Sequence, residues 1–412
     1  MGGMNGHAVN HIVIVGGSLA GLRAAEALRS GGFGGRVTIV GAETHLPYDR
    51  PPLSKRLLSG EWEPDRIVLR KAGDMTSIDV DWQLGGSAVG LDLARRVVRL
   101  ADGSEVGFDG LIIATGAAAR RLSGQEEHRA AHVLRTLDDA LALRAELRSG
   151  GRRVVVVGAG FIGLEVAATA RHLGNDVVVV EGGPAPLVRG LGAEMGAAVA
   201  ACHADHGVEI RCGVSVDGFG PDSVSVDGRE MPADVVVVGI GVVPSTGWLD
   251  DSGLEIRDGV VGGPDLNLGE QLVYGAGDVL RWHNPLFGEE MRVEHWTNAA
   301  EQGALAATNL LAESAGEPTV TYAPVPFFWS EQYDRRIQFL GRAASGDGVI
   351  DEVRIVAGSI EERRFAALYR RGDRLGGVIG VNSPRQVMPF RTHLAERIAW
   401  DEALEVASRL AS

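Results

Sequence analysis

The 412 residues, 45% of them hydrophobic, suffice for two or three compact domains, since single domains run to roughly 100–200 residues. A formal net charge of −14 argues against the concentrated basic surface that nucleic acid or an anionic membrane demands, so neither is expected as a partner. Two cysteines, Cys202 and Cys212, are too few for a disulfide framework and wrongly spaced for C-x-x-C, and no metal site is expected.

Residues 11–17 form a short apolar run, Leu19, Leu22, Ala25 and Leu28 follow at helical spacing, and residues 37–40 are apolar again. This order predicts a strand, a helix and a second strand. The turn between the first two reads Gly16-Gly17-Ser18-Leu19-Ala20-Gly21, a dinucleotide-binding pattern with serine in place of the middle glycine. The Ser18 hydroxyl can donate to a phosphate oxygen, and Glu43, just past the second strand, is the expected ribose ligand. Residues 111–116 make a further short strand ending in Ala114-Thr115-Gly116.

About 140 positions on, the same order recurs at residues 153–158, 161–173 and 177–180. Here Gly158-Ala159-Gly160-Phe161-Ile162-Gly163 follows a valine strand and opens a helix, and Glu181 closes the next strand. Glycines permit the tight turn and the approach of a pyrophosphate to a helix N-terminus, and the acid accepts from ribose hydroxyls. An acid at Glu181 repels a 2′-phosphate, so NADH is preferred over NADPH. Residues 272–278 form a late strand that, if it serves the first unit, makes that domain discontinuous. From about Ala323 the composition shifts, with Phe327-Phe328-Trp329 and alternating runs at 335–340 and 365–369. These predict an antiparallel sheet closed by helical residues 391–410, a third, α+β domain. This segment carries 13 arginines against 12 acidic residues, so the acidity lies elsewhere. The opening residues show neither a basic nor an apolar leader region and no run approaches the ~20 residues of a membrane span, which predicts a cytoplasmic protein.

The string Leu46-Pro47-Tyr48-Asp49-Arg50-Pro51-Pro52-Leu53-Ser54-Lys55 is more specific than either glycine pattern. With Ala114-Thr115-Gly116, Gly275-Ala276-Gly277-Asp278 and Phe328-Trp329-Ser330-Glu331-Gln332-Tyr333, it makes the chain resemble the FAD-dependent NADH:ferredoxin reductases that serve oxygenases, the putidaredoxin reductase and dioxygenase reductase type. The resemblance spans essentially the whole chain. It implies a glutathione-reductase-like architecture of the α/β class: two Rossmann-like domains, for FAD (8–118 and 245–322) and NAD (119–244), and a C-terminal α+β domain (323–412).

Position by position, the resemblance implies that the turn with Gly16, Ser18, Leu19, Ala20 and Gly21 holds the FAD pyrophosphate. Glu43 would hold the adenosine ribose, all the more since alanine stands at Ala42 where relatives often carry aspartate. The backbone of Val89 would meet the adenine, and Ala114, Thr115, Gly116, Arg50 and Arg135 would support the cofactor. Gly277 and Asp278 would face its ribityl or pyrophosphate part, and Trp296 and Trp329 would lie by the isoalloxazine. Gly158, Gly160, Phe161, Ile162, Gly163, Glu181 and Gly241 would hold NADH. Lys55 and Glu165 would pair near flavin N5, where a hydride from nicotinamide C4 arrives.

Residues 41–60 contain no cysteine, so electrons are expected to leave for an outside acceptor. The resemblance makes this a two-iron ferredoxin serving a cytochrome P450 or Rieske-type oxygenase. Arg335, Arg336, Arg363, Arg364, Arg370 and Arg371 are candidates to steer it. An NADH oxidase or rubredoxin reductase is the alternative enzyme, and a redox-sensing interaction flavoprotein resembling apoptosis-inducing factor the alternative of another class. A monomer or weak homodimer is expected.

Overall fold

A computed structural model describes residues 9–70, 78–344 and 348–411. The chain divides into two compact units. The first comprises the described residues of Met1–Asp49, Val68–Ala118 and Val243–Pro324. Its centre is a five-stranded parallel sheet in the order Val273–Gly275, Gly110–Ile113, His11–Val15, Arg36–Gly41, Asp81–Leu84. Ile12 stands opposite both Val37 and Gly110, and Leu111 opposite Val273. Ile12, Val13, Ile14, Leu111, Ile112 and Ile113 are fully buried, as strands of a parallel sheet covered on both faces must be.

The helix Leu19–Ser30 follows the first strand and packs on the helix Trp296–Ser314. Their backbones approach so closely that a Cβ on Gly303 would lie 2.2 Å from the Ala20 carbonyl oxygen. A small antiparallel sheet of Ala88–Asp92, Val97–Leu100 and Glu105–Gly107 belongs to the same unit. Its register shifts between Ala88 and Gly90, leaving Val89 outside the ladder as a bulge residue.

The second unit comprises Arg50–Ile67, Ala119–Val242 and the described part of Val325–Ser412. It contains a second parallel sheet in the order Glu209–Cys212, Asp176–Glu181, Arg153–Val157, Val235–Val238, Ala131–Val133. The helix Phe161–His172 follows its central strand. A five-stranded antiparallel sheet runs Phe327–Gln332, Arg335–Gly341, Arg374–Val381, Arg364–Arg371, Glu352–Ser359. Residues 50–67 pack in this unit, where Thr169 Oγ1 donates to the Ser54 carbonyl at 2.8 Å.

Both predicted strand–helix–strand units are present, as is the α+β domain. One expectation needs correction. Residues 391–410 are not one helical segment but two helices, Phe390–Glu396 and Trp400–Ala411. Arg397 between them adopts a left-handed conformation (φ 57°), and the connection instead bonds to a strand: Leu375 N donates to the Ile398 carbonyl at 3.2 Å and Arg374 Nη1 to the Arg397 carbonyl at 2.9 Å.

Candidate functional site

In the first unit the glycines of the first turn are dictated by contact. A Cβ on Gly16 (φ +132°) would lie 2.0 Å from the Ala114 carbonyl oxygen, and one on Gly21 2.0 Å from the Gly16 carbonyl oxygen. Ser18 caps the helix Leu19–Ser30 with extended backbone, yet its hydroxyl makes no capping bond. The first-turn amides and this hydroxyl therefore form a donor set suited to a phosphate. Across the sheet end, Thr115 Oγ1 donates to the Ser245 carbonyl at 2.9 Å, and Gly116 takes a positive φ of 65°. Gly277 (φ +78°) lies against Ala20, its N–H donating to the buried Gln302 Oε1 at 2.9 Å. Asp278 is half-buried within the short turn Gly277–Val279 rather than capping a following helix.

Two residues of the specific string hold other expected site residues. The Tyr48 hydroxyl donates to Glu43 Oε2 at 2.5 Å, and Trp296 Nε1 donates to Asp49 Oδ1 at 2.7 Å. Val89 is 53% exposed on its bulge, so ladder pairing does not claim its backbone. These features fit FAD: a cradle without side chains, free donors at a helix start, and an acid held by a tyrosine.

The second turn repeats the design with a more open centre. A Cβ on Gly158 (φ +103°) would lie 2.4 Å from the Gly239 carbonyl oxygen, and one on Gly163 2.1 Å from the Gly158 carbonyl oxygen. At Gly160, which caps the helix Phe161–His172, a Cβ would meet no protein atom within 4 Å. Glu181 sits at the strand end and accepts from Ala159 N through Oε2 and Gly183 N through Oε1, each at 2.7 Å. Ile162 is 41% exposed beside the turn, and Phe161 packs edge-on against Phe328 at 4.7 Å. The exposed Gly241 (φ +99°) accepts from Arg120 N at 2.9 Å. Space at Gly160 and an acid at the strand end fit an unphosphorylated adenosine ribose and its pyrophosphate.

A buried polar cluster joins three elements of the second unit. Lys55 is one of two lysines in a chain with 40 basic residues. Its Nζ lies 2.7 Å from Glu165 Oε2, with side-chain exposures of 15% and 7%. The Ser54 hydroxyl donates to Oε2 at 2.5 Å and the Ser330 hydroxyl to Oε1 at 2.6 Å. Glu165 thus has three donors, enough to hold a buried carboxylate. Arg50 Nη1 donates to the Arg135 carbonyl at 2.5 Å, just before a helix capped reciprocally by Thr136 and Asp139. Trp329 is half-buried and stacks on Phe327, centroids 6.1 Å apart.

Sequence reasoning passed over Ser54, Ser330, Gln332 and His203. The first three lie inside quoted strings. His203 follows buried Val199 by four positions on an otherwise apolar helix face, the only signal available for it. Burial lowers its pKa from 6.5 to about 4, with nearby His206 adding to the fall. The unfolded chain therefore binds a proton between pH 6.5 and 4 that the folded chain refuses, so stability declines as pH falls through that window. A loss on the order of 2–3 kcal/mol is expected by pH 4, measured by denaturant titration, and His203→Gln should flatten the slope.

The arginines singled out for steering are largely engaged. Arg363 pairs with Asp205 at 2.8 Å, Arg370 with Glu352 at 3.3 Å and Arg335 with Asp334 at 2.9 Å. Arg336 and Arg364 are exposed and Arg371 half-buried. Among the described residues no cluster of His, Cys, Asp and Glu is arranged to hold a metal, and no helix is long and apolar enough to cross a membrane.

Residues 10–303 match the pyridine nucleotide-disulphide oxidoreductase family, and residues 327–408 the reductase C-terminal family. Rhodocoxin reductase of Rhodococcus erythropolis is 37% identical over 93% of this chain and 89% of its own length. The ferredoxin–NAD(+) reductase component of the anthranilate 1,2-dioxygenase system of Burkholderia cepacia is 35% identical over 93% of each. The covalent putidaredoxin reductase–putidaredoxin complex superposes with a TM-score of 0.90 at 30% identity, over 98% of this chain and 99% of that one. Whole-length kinship at this level, on a fold with two dinucleotide turns, means that the chain belongs to the pyridine nucleotide-disulphide oxidoreductase family, among its ferredoxin–NAD(+) reductases.

Proposed function

We propose that the protein is an NADH-dependent, FAD-containing reductase that passes electrons to a two-iron ferredoxin feeding a cytochrome P450 or Rieske-type oxygenase. It would act in the cytoplasm as a monomer or weak homodimer. Residues 8–118 and 245–322 would bind FAD, 119–244 NADH, and 323–412 would form the C-terminal domain. The observation that carries the choice of acceptor concerns the thiols. Cys202 is buried, with its pKa pushed up to about 11, and burial also raises that of Cys212. Both lie in the second unit, away from the first dinucleotide turn in sequence, and neither has the thiolate character a disulfide relay requires.

When bound, the cofactors supply the redox chemistry, a hydride passing from nicotinamide to flavin and electrons then leaving singly. The chain's residues bind and orient. The turn from Gly16 to Gly21 and the helix start behind it would take the FAD pyrophosphate, Ser18 adding a donor. Glu43, fixed by Tyr48, would take the ribose, and the unpaired backbone at Val89 the adenine. Ala114, Thr115, Gly116, Gly277, Asp278, Arg50 and Arg135 would support the remainder, with Trp296 and Trp329 beside the ring. Gly158, Gly160, Phe161, Ile162, Gly163 and Gly241 would seat NADH. Lys55, held by Glu165, would offer a fixed positive charge where negative charge develops.

Glu181 decides the nicotinamide cofactor by repelling a 2′-phosphate. Glu181→Gln is expected to narrow the NADH preference on the order of 10- to 100-fold, read from kcat/KM with each cofactor. The whole reading is tested by reducing the protein anaerobically with NADH, then mixing it with a two-iron ferredoxin or with oxygenated buffer while following flavin absorbance. Fast reoxidation by ferredoxin and slow reoxidation by oxygen support it. The opposite order makes the protein an oxidase, and slow reoxidation by both makes it a redox sensor.

A further inference from the structure

The cluster at Glu165 does not end at Ser330. Ser330 and Gln332 alternate with Glu331 along the strand Phe327–Gln332, so both side chains point to one face, and both are fully buried. Gln332 Nε2 donates to Ser330 Oγ at 3.2 Å, and Gln332 Oε1 faces the fully buried His203 Nε2 at 2.9 Å. His203 Nδ1 in turn lies 3.3 Å from the Tyr333 hydroxyl, and the Tyr333 ring stacks on His206 at 3.7 Å.

The donors can run in only one consistent direction. The ionised Glu165 accepts only, so the Ser330 hydroxyl must donate to it. Ser330 Oγ then accepts from the Gln332 amide nitrogen, which leaves the Gln332 carbonyl to accept from His203. His203 must therefore carry its proton on Nε2 and accept on Nδ1 from Tyr333. Each bond polarises the next toward the carboxylate.

We propose that His203 is a positioning residue for the Lys55–Glu165 pair, its Nε2–H tautomer, supported at Nδ1 by the Tyr333 hydroxyl, completing the hydrogen-bonded chain that runs through Gln332 and Ser330 onto Glu165. The functional weight of this chain rests on the reading of Lys55 and Glu165 as the charge pair that serves the flavin; the coupling between Glu165 and His203 does not. Reversing the chain means rotating the Ser330 hydroxyl, turning the Gln332 amide over and moving the imidazole proton to Nδ1. Ser330 would then present a lone pair to Glu165, which an ionised carboxylate cannot use.

Glu165→Gln imposes that reversal. The position of Oε2 accepts from Lys55 and Ser54, so the new amide must place its oxygen there and turn its NH2 toward Ser330. Ser330 must then donate to Gln332, which flips and donates to His203 Nε2. The test is nitrogen-15 NMR of the ring nitrogens in histidine-labelled, FAD-loaded protein, with the His203 signals assigned by their loss in His203→Gln. The expected result is the Nε2–H tautomer in the wild type and Nδ1–H in Glu165→Gln. Adding Ser330→Ala to Glu165→Gln should restore Nε2–H, because the link is cut. An Nδ1–H wild type, or the same tautomer in wild type and Glu165→Gln, overturns the proposal.

A kinetic arm tests the positioning itself. Ser330→Ala and Tyr333→Phe should each slow flavin reduction at saturating NADH several-fold, leaving the half-saturating NADH concentration unchanged. Their combination should be no slower than Ser330→Ala alone, since the two act through one path. Multiplicative slowing in the double variant overturns the positioning role. If NADH fails to reduce even the wild type, the functional reading falls, and the tautomer result still judges the chain of bonds.

Discussion

Glu165→Ala is expected to lower the unfolding free energy by about 3–5 kcal/mol, the range found when one member of a buried ion pair is removed. The size follows from what remains. The Lys55 side chain, 15% exposed beside Glu165, loses its counter-charge, and the Ser54 and Ser330 hydroxyls both lose their acceptor. Replacing both charges, as Lys55→Met with Glu165→Leu, removes the desolvation problem and should recover most of that loss in a guanidinium titration. Activity separates the two effects. Neither the single nor the double variant should regain fast flavin reduction by NADH, with a deficit on the order of 100-fold, as for loss of one electrostatic contact to a developing charge. A double variant that is both stable and fast would show the pair to be structural only.

The two glycines of the second turn should fail in opposite ways. At Gly163 a Cβ would sit 2.1 Å from the Gly158 carbonyl oxygen, a backbone atom that cannot step aside, so Gly163→Ala should cost about 1–3 kcal/mol or somewhat more in stability. At Gly160 the backbone is extended (φ −77°, ψ 176°) and the space for a side chain holds no protein atom. Gly160→Val should therefore fold with a stability change of about 0.5 kcal/mol or less. On the proposed assignment it should nonetheless weaken NADH binding on the order of 10- to 100-fold, because the side chain would occupy the room the pyrophosphate would take. Its FAD content should be unchanged, which locates the defect. Equal NADH affinity in Gly160→Val and wild type would falsify the assignment of this turn.

The sheets and turns were legible because burial on two faces leaves few residue types possible: runs such as Ile12–Val13–Ile14 and Val154–Val157 are β-branched throughout and end at a glycine turn, which favours a buried strand. The short strings marked Lys55 and Trp329 but concealed why their neighbours matter. Tyr48 and Asp49 bond to Glu43 and Trp296, and Ser330 and Gln332 share an inward face. Period-two alternation exposes that face only once the strand's burial is known. The bulge at Val89 carries no residue signature, and Arg397 adopts its left-handed turn without a glycine to announce it. The ion pairs of the C-terminal arginines were hidden for a related reason: the partner of Arg363, Asp205, is remote in sequence, whereas Arg336 and Arg364 remain exposed as the sequence alone suggests.

The discontinuity of the first unit bears on how the chain is born. During synthesis the strand Gly110–Ile113 emerges long before Val273–Gly275, the strand that covers its outer side. Until then Leu111, Ile112 and Ile113 present an apolar, hydrogen-bond-hungry margin of the kind that recruits other chains. The second parallel sheet, drawn wholly from residues 131–212 and 235–238, can close in the meantime, since domains form as their segments leave the ribosome. The nascent protein therefore completes its second parallel sheet before its first, and a ribosome stalled before Val273 would release a product with one finished sheet and one sticky one.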